Sequence, residues 1–479
     1  MAPSVSISIL VLALWVLCIF TYSTTMVVAA KSSALELEAK ALLESGWWSS
    51  NYTTNGSSLS HCKWPGILCN HSGSVLEIDM DDIYVGDKFR KFNFSSFPNL
   101  EELYLDNTGL QGSIPPEIGT LSKLTVLSLS MNNLTGNLPL SLTNLTQLET
   151  FFIYNNLISG SIPDLLGNLK NLRDLDLSAN AFIGTIPIAI CLLTNLTRLI
   201  ASNNQLTGEL PPSLANLTQL ETFVISSNLI SGSIPKELGN LQYLWRLDLS
   251  ANAFSGEFPP SLANLTQLEI FNISSNLISG TIPKELGNLK NLSTLDLSNN
   301  TLTGPIPSTL SLLTGLSHLD LSSNEIAGQI PITIGHLTNL RTLSLAWNQI
   351  SGSIPAEIAN CISLHNITLS HNYLTGTISF DMSNLYLLVY IDLSYNNLSG
   401  SIPMEKTDCR SLKHLSLSHN NLTGNIPIFS ISIKEINLSY NSLQGQIPNG
   451  YLNCTPYTFI GNKDLCGDIH GIPPCSPTS

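Results

Sequence analysis

Charge is scarce in this chain. Only 11% of its 479 residues are Asp, Glu, Lys or Arg, and the balance is acidic, with a formal net charge of −14. No basic stripe runs through it, which argues against nucleic acid as a partner. The acidity itself is read as solubility. Signatures of catalysis are missing as well: there is no glycine-rich phosphate loop, no kinase lysine with HRD and DFG segments, no HExxH and no nucleophile elbow. The Asp residues of the Leu-Asp-Leu-Ser runs (Asp176, Asp248, Asp296, Asp320 and Asp392) recur at one repeated slot. Adjacent units bring Asp296 and Asp320 near each other, yet polar residues at an exposed slot explain the series better than a carboxylate pair for glycosidic chemistry. We expect no enzyme, no metal and no cofactor. Pro-rich or charged extension segments are also lacking, which speaks against a structural adhesion protein.

What the chain has instead is a period. Asn132, Asn156, Asn180, Asn204, Asn228, Asn252, Asn276, Asn300, Asn324, Asn348, Asn372, Asn396 and Asn420 recur every 24 residues, and Asn441 closes the series after a step of 21. Apolar residues sit eight, five and three before each Asn and two and six after, as in Leu124, Leu127, Leu129, Leu134 and Leu138 around Asn132. The alternation Leu127-x-Leu129 has the strand period of two, burying one face and showing the other. The Asn amide donates and accepts at once, so it satisfies backbone groups of neighbouring units that burial would leave unpaired. Gly136 suits a bend and Pro139 ends the segment. One unit cannot bury its own apolar face, so the units stack as a solenoid with a parallel sheet. The period predicts one elongated domain despite the length.

The frame LxxLxLxxNxLxGxIP, with Gly160-Ser-Ile-Pro163, Gly232-Ser-Ile-Pro235, Gly280-Thr-Ile-Pro283 and Gly352-Ser-Ile-Pro355, resembles the plant-specific leucine-rich repeat. The resemblance implies an α/β-type solenoid, a superhelix with a concave parallel β-sheet and a second small sheet at Gly-x-Ile-Pro, capped at both ends. There are 15 recognisable repeats, the first carrying Thr108 in place of the Asn, and a looser unit around Ile78 and Met80 precedes them. Long identical runs in Ser141 to Pro187, Ser213 to Pro259 and Ser261 to Pro307 point to duplication of repeats in pairs.

Residues 1–30 read as a secretory signal, with an apolar core from Ile9 to Phe20 and small residues at Val28-Ala29-Ala30, although no Lys or Arg precedes Lys31. Residues 31–74, with Ala41-Leu-Leu, Trp47-Trp48 and Cys62-Lys-Trp64-Pro-Gly66-Ile-Leu-Cys69, resemble the amino-terminal cap of plant leucine-rich-repeat receptors, in which the two cysteines pair. The solenoid then occupies 75–448. Residues 449–479 resemble the matching carboxy-terminal cap, which implies a Cys466 to Cys475 bond. Both pairings suit an oxidising compartment. Cys191, Cys361 and Cys409 are read as buried thiols, and Cys454 as free in preference to bonded to another chain.

Seventeen Asn-x-Ser/Thr sequons occur, among them Asn51, Asn93, Asn133, Asn144, Asn195, Asn216, Asn264, Asn291, Asn397 and Asn421. A secretory signal makes many of them acceptors, so a glycosylated surface is expected. Sequons at Asn272, Asn366 and Asn437 fall on exposed strand positions, where glycans would fence off part of the face.

Function is expected at those positions, six, four, two and one residues before each ladder Asn. Serine at minus two gives a polar floor, and the departures carry the information. An early cluster comprises Phe152, Tyr154, Arg198, Ile200, Val224 and Arg246; a later one comprises His318, Asp320, Trp347, His371, Tyr390, Tyr395, His414, His419 and Tyr440. Exposed aromatics with arginine make binding anchors. Histidine is the side chain whose charge changes near neutral pH, so the row His318, His371, His414 and His419 leads us to expect affinity to follow pH.

The whole chain after the signal is similar to the ectodomains of plant leucine-rich-repeat receptor-like kinases. Trp47-Trp48, Gly-Ile-Leu-Cys69 and Phe97-Pro-Asn-Leu-Glu-Glu-Leu resemble the group that interacts with the male-discoverer pollen receptors. That family implies extracellular peptide or protein recognition on the concave face, with a co-receptor kinase docking near the carboxy-terminal repeats. Only Ser-Pro-Thr-Ser follows Cys475, so we expect neither membrane helix nor kinase, and membrane association only through partners or an uncleaved signal. A secreted inhibitor of cell-wall-degrading enzymes, like the polygalacturonase-inhibiting proteins, is the alternative, although those have about ten repeats.

Overall fold

In a computed structural model the described residues are 34–48, 58–379, 384–403, 411–428, 433–451, 455–469 and 471–475. They pack as two compact units, one ending at Ile183 and one starting at Gly184. Both are built from the same coil.

Each coil follows from its sequence frame. The leucine at minus five sits mid-strand and points inward, as do Leu295 in Thr294–Asp296 and Leu319 in His318–Asp320, both fully buried. The residue at minus one then takes a positive φ, +54° at Ser275 for example, which turns the chain and delivers the Asn inward. Asn276 donates from Nδ2 to the carbonyls of Leu249, Ile273 and Ser274, each at 3.1 Å, and accepts at Oδ1 from the Phe254 amide at 3.0 Å. Four backbone groups that the turn leaves inside are satisfied by one side chain. Thr108 does part of this work for the first repeat: its Oγ1 donates to Leu105 O at 2.8 Å, while Asn132 serves the Thr108 amide. The ladder runs one rung past Asn441, to Asn462, which donates to Leu438 and Phe459 and accepts from Leu443.

A second strand follows the Asn and ends at or just beyond the glycine, as in Leu277–Thr281. The proline next caps a 3-10 turn: Pro283, with φ of −63°, precedes Lys284–Asn288. Return segments are such turns, and among the described residues α-helix is confined to 34–45. Coils approach closely at these turns; a Cβ on Gly287 would lie 2.5 Å from the Thr309 carbonyl oxygen.

In the first unit Ile67–Cys69 lies antiparallel to Val75–Asp79. Gly66 opens this hairpin where any Cβ would stand 1.8 Å from Asp79 O. From Val75–Asp79 the sheet is parallel through Glu102–Tyr104, Val126–Ser128, Thr150–Phe152 and Asp174–Asp176. Trp47 stacks on Phe92, and Trp48 donates from Nε1 to Pro65 O at 2.9 Å. These rings, with Phe89, Phe94 and Phe97, close the open apolar end of the first coil, and Cys62 is bonded to Cys69.

In the second unit eleven parallel strands run in register from Arg198–Ile200 to Glu435–Asn437. Its second sheet reaches Asp464–Cys466, and Cys466 is bonded to Cys475. Cys191 and Cys361 are buried free thiols; burial pushes the Cys361 thiol up to about 11. Cys409 and Cys454 lie outside the described residues.

Candidate functional site

The residue before each ladder Asn has a positive φ, a region that costs an L-residue about 1 kcal/mol or more and that Asn tolerates best. Most coils put Asn, Ser or Ala there: Asn155, Ala179, Asn203, Ser227, Ala251, Ser275, Asn299 and Ser323. Five successive coils of the second unit instead put a ring there, with φ of +57° at Trp347, +54° at His371, +52° at Tyr395, +53° at His419 and +54° at Tyr440. The rings stack. Centroids lie 3.6 Å apart for Trp347 and His371, 4.2 Å for His371 and Tyr395, 4.0 Å for Tyr395 and His419, and 4.4 Å for His419 and Tyr440. Coils repeat at about the strand spacing of 4.8 Å, so one ring per coil is already near stacking distance. Trp347 keeps 59% of its surface exposed, Tyr440 49% and Tyr395 45%. His371, covered between Trp347 and Tyr395, has its pKa lowered, chiefly by burial; Asp392 opposes the shift and His419 adds to it. The His419 Nδ1 is covered and has no partner among the described residues.

Beside the stack, Tyr390 tilts over His414, whose Nδ1 meets Glu435 Oε2 at 2.9 Å. His318 stands half-buried between Thr294 and Thr342, and Asp320 between Asp296 and Ser344. Serine at minus two is a clamp as well as a floor. Ser322 donates to Asp320 Oδ1 from its amide at 2.9 Å and from Oγ at 2.6 Å, and Ser298 holds Asp296 in the same way. Asn272 and Asn437 accept the same pair of bonds from Ser274 and Ser439.

The early cluster divides. Phe152 and Tyr154 belong to the first unit, Arg198, Ile200, Val224 and Arg246 to the second. One of these positions is corrected: Val224 was expected to be exposed and is only 5% so. Thr222 and Val224 stand between Arg198 and Ile200 on one strand and Arg246 and Asp248 on the next. Short side chains between rows of longer ones are covered by their stems. Arg246 lies low enough that its Nε is itself covered.

On the first two parallel strands of the first unit and the turns after them, the outward residues are mostly acidic. Glu77 stands directly opposite Glu102, and Asp79 opposite Tyr104. Asp81 is pushed up to about 6, first by partial burial of its carboxylate and then by the charges of Asp106, Asp79 and Asp82. Burial and its acidic neighbours also raise Glu77, Tyr104 and Tyr154. Sequence reasoning missed this patch, although Glu77-x-Asp79-x-Asp81 carries the period of two. It named every ring of the stack without seeing that they touch; five aromatics in one slot of consecutive repeats was the signal. Of the thirteen sequons named, Asn51 lies outside the described residues, Asn272 and Asn366 are half-buried, and the other ten are exposed.

Among the described residues no helix is long and apolar enough to cross a membrane, and the only group of three metal-ligating side chains, His61, Cys62 and Cys69, includes the two disulfide cysteines.

Family models match as "Leucine rich repeat" over 291–350 and 362–422, as "Leucine Rich repeats (2 copies)" over 146–189, and as "Leucine Rich Repeat" over 99–121, 123–145, 195–217, 219–241, 243–265, 267–289 and 432–454, together well over half of the chain. The chain is 35% identical over 103 residues to the leucine-rich repeat receptor-like serine/threonine-protein kinase RGI4 of Arabidopsis thaliana, 20% of this chain and 9% of that protein. It is 31% identical over 143 residues to phytosulfokine receptor 1 of the same plant, 28% of this chain and 14% of that one. The matches thus span a small part of these receptors' length. Among solved structures, the ectodomain of the Arabidopsis thaliana membrane receptor kinase GASSHO1/SCHENGEN3, in complex with CASPARIAN STRIP INTEGRITY FACTOR 2, superposes with a TM-score of 0.61 at 32% identity, covering 80% of this chain and 55% of that one. A leucine-rich-repeat protein of Leptospira interrogans gives 0.54 at 32% identity, covering 64% and 75%. With its Asn ladder, parallel sheet and matched repeats, the chain belongs to the leucine-rich-repeat family, and the ectodomains of plant receptor kinases are among its homologues.

Proposed function

We propose that this chain is an extracellular recognition module that binds a peptide or protein on the exposed face of its first sheet, in plant cell-surface signalling or defence. One observation carries the reading. Five aromatic rings occupy strained backbone positions on consecutive coils, and three of them, Trp347, Tyr395 and Tyr440, remain open to solvent, where the family frame needs only a small or polar residue. Strain and exposed apolar surface kept together are the mark of a binding surface. The solved ectodomain in complex with CASPARIAN STRIP INTEGRITY FACTOR 2 supports a peptide or protein as the ligand class.

The finer parts of the reading go with it. Residues 1–30 are a secretory signal, 31–74 and 449–479 are caps, and 75–448 form the recognition solenoid. The protein acts in the apoplast or at the plasma-membrane surface, with a leucine-rich-repeat co-receptor kinase as a further partner, and the resemblance of its sequence to the male-discoverer-interacting group supports membership there. Inhibition of cell-wall-degrading enzymes is not favoured, because the plant homologues are receptors.

Capture from cell-wall fluid by the secreted full chain tests this. The wild type is expected to retain a peptide or protein that the Trp347→Ala/Tyr395→Ala double variant loses. Retention unchanged by that variant removes the stack from the site, and recovery of a pectinase moves the protein to the inhibitor class.

A further inference from the structure

The ring stack has one closed end and one open end. Beyond Tyr440 the next slot is Gly461, where even a Cβ would stand 2.7 Å from the Tyr440 ring, so that end abuts the chain itself. Before Trp347 the slot is Ser323, an exposed residue whose amide donates to Ala346 O at 2.8 Å. A serine there leaves the outer face of the indole uncovered. An aromatic face is electron-rich and attracts cations, tryptophan most of all.

The neighbouring coils supply charge of the matching sign. Asp296 and Asp320 stand opposite each other on adjacent strands. Ser298 and Ser322 hold one oxygen of each, Oδ1, and the other has no partner among the described residues. His318 makes no ion pair with Asp320, and no lysine or arginine of the described residues is paired with either carboxylate. Asp320 is the strand partner of Ser344, three residues before Trp347. At about 3.3 Å per residue along the coil and about 4.8 Å from coil to coil, the indole lies roughly 11 Å from Asp320 and roughly 14 Å from Asp296. An extended peptide places side chains on one face every two residues, about 7 Å, and long side chains close the remainder.

We propose that the open face of Trp347 and the free oxygens of Asp296 and Asp320 together receive the basic side chains of an extended peptide, arginine foremost. The guanidinium is flat enough to stack on the indole and forked to meet a carboxylate with two bonds. The inference rests on reading this face as a peptide site and names the chemistry of the ligand. Carboxylate charge can be removed here without disturbing the fold, since Asn272 already fills the same slot with the same serine bonds.

The test uses the full chain and labelled nine-residue Gly/Ser peptides carrying Arg-Ser-Arg at their centre, read by fluorescence anisotropy. Parallel peptides carry citrulline, phenylalanine or glutamate in place of both arginines. The arginine peptide is expected to bind at least tenfold more tightly than the citrulline one, with affinity falling as salt rises. Asp296→Asn/Asp320→Asn is expected to weaken it about tenfold, or about 1.4 kcal/mol, at an unchanged melting temperature; Trp347→Ala weakens it as much, and Trp347→Phe less. Equal binding of the citrulline peptide, or no effect of the Asp→Asn pair, overturns the proposal. If the phenylalanine or glutamate peptide binds best and loses affinity in Trp347→Ala, the basic slot is wrong while peptide recognition by this face stands. Failure of all four peptides also overturns the slot, and capture of a ligand from cell-wall fluid then decides the broader reading separately.

Discussion

Glu77 facing Glu102 in the first unit and Trp347 facing His371 in the second come from one scaffold. In each unit a ladder Asn bonds the same backbone groups: Asn132, one coil past Glu102, meets the carbonyls of Leu105, Leu129 and Ser130, and Asn372 those of Leu345, Leu369 and Ser370. Above it, the coil spacing brings like residues into register. Half-buried acidic groups then hold protons, as at Asp81, where burial acts first and like charges add to it, whereas like rings attract and stack. The repeat amplifies whatever its outward slots carry, at no cost to the core.

The comparison breaks most visibly at the ladder. Asn132→Ala and Asn372→Ala each orphan buried backbone groups, so each is expected to cost about 3 kcal/mol in urea unfolding. Equal losses would show a scaffold indifferent to its face; a much larger loss at Asn372 would mean that the ring stack reinforces its own coils.

Replacing one ring has a smaller effect. His371→Ser, the residue that Ser227, Ser275 and Ser323 supply in other coils, separates Trp347 from Tyr395 and is expected to cost about 1 kcal/mol. His371→Phe should restore most of it. A serine variant as stable as the wild type would mean that stacking only offsets the backbone strain.

The smallest effects have opposite signs with pH. Asp81 holds its proton more tightly in the folded chain than in the unfolded one, so its favourable contribution is full below about pH 4 and is lost as pH rises through about 6. Asp81→Asn should therefore raise the melting temperature at pH 7 by a degree or two and leave it unchanged at pH 4. His371 holds its proton less tightly when folded, so its contribution is present above the ordinary histidine pKa and is lost as pH falls. His371→Phe should gain stability relative to the wild type between pH 7 and 5. Melting curves that shift in the same direction for both variants would contradict the assignment of these groups.

Much of this was legible beforehand because it is a matter of period. The leucines that must be inside, the Asn that follows and the proline that stops each unit are set by short-range repetition, so Leu127, Leu295 and Leu319 declared themselves core from the sequence alone. The exposed slots declared themselves too. Which residues in those slots touch was decided by the register of one coil on the next, an interaction over 24 residues that no local pattern encodes. That register covered Val224 under its longer neighbours, turned Ser322 from a polar floor into the clamp of Asp320, placed Asn462 on the ladder and pressed five separate aromatics into one stack. Composition and period settle what a residue in a solenoid faces; only the stacking of coils settles what it meets, because contact needs two chain segments about 4.8 Å apart with side chains of matching length.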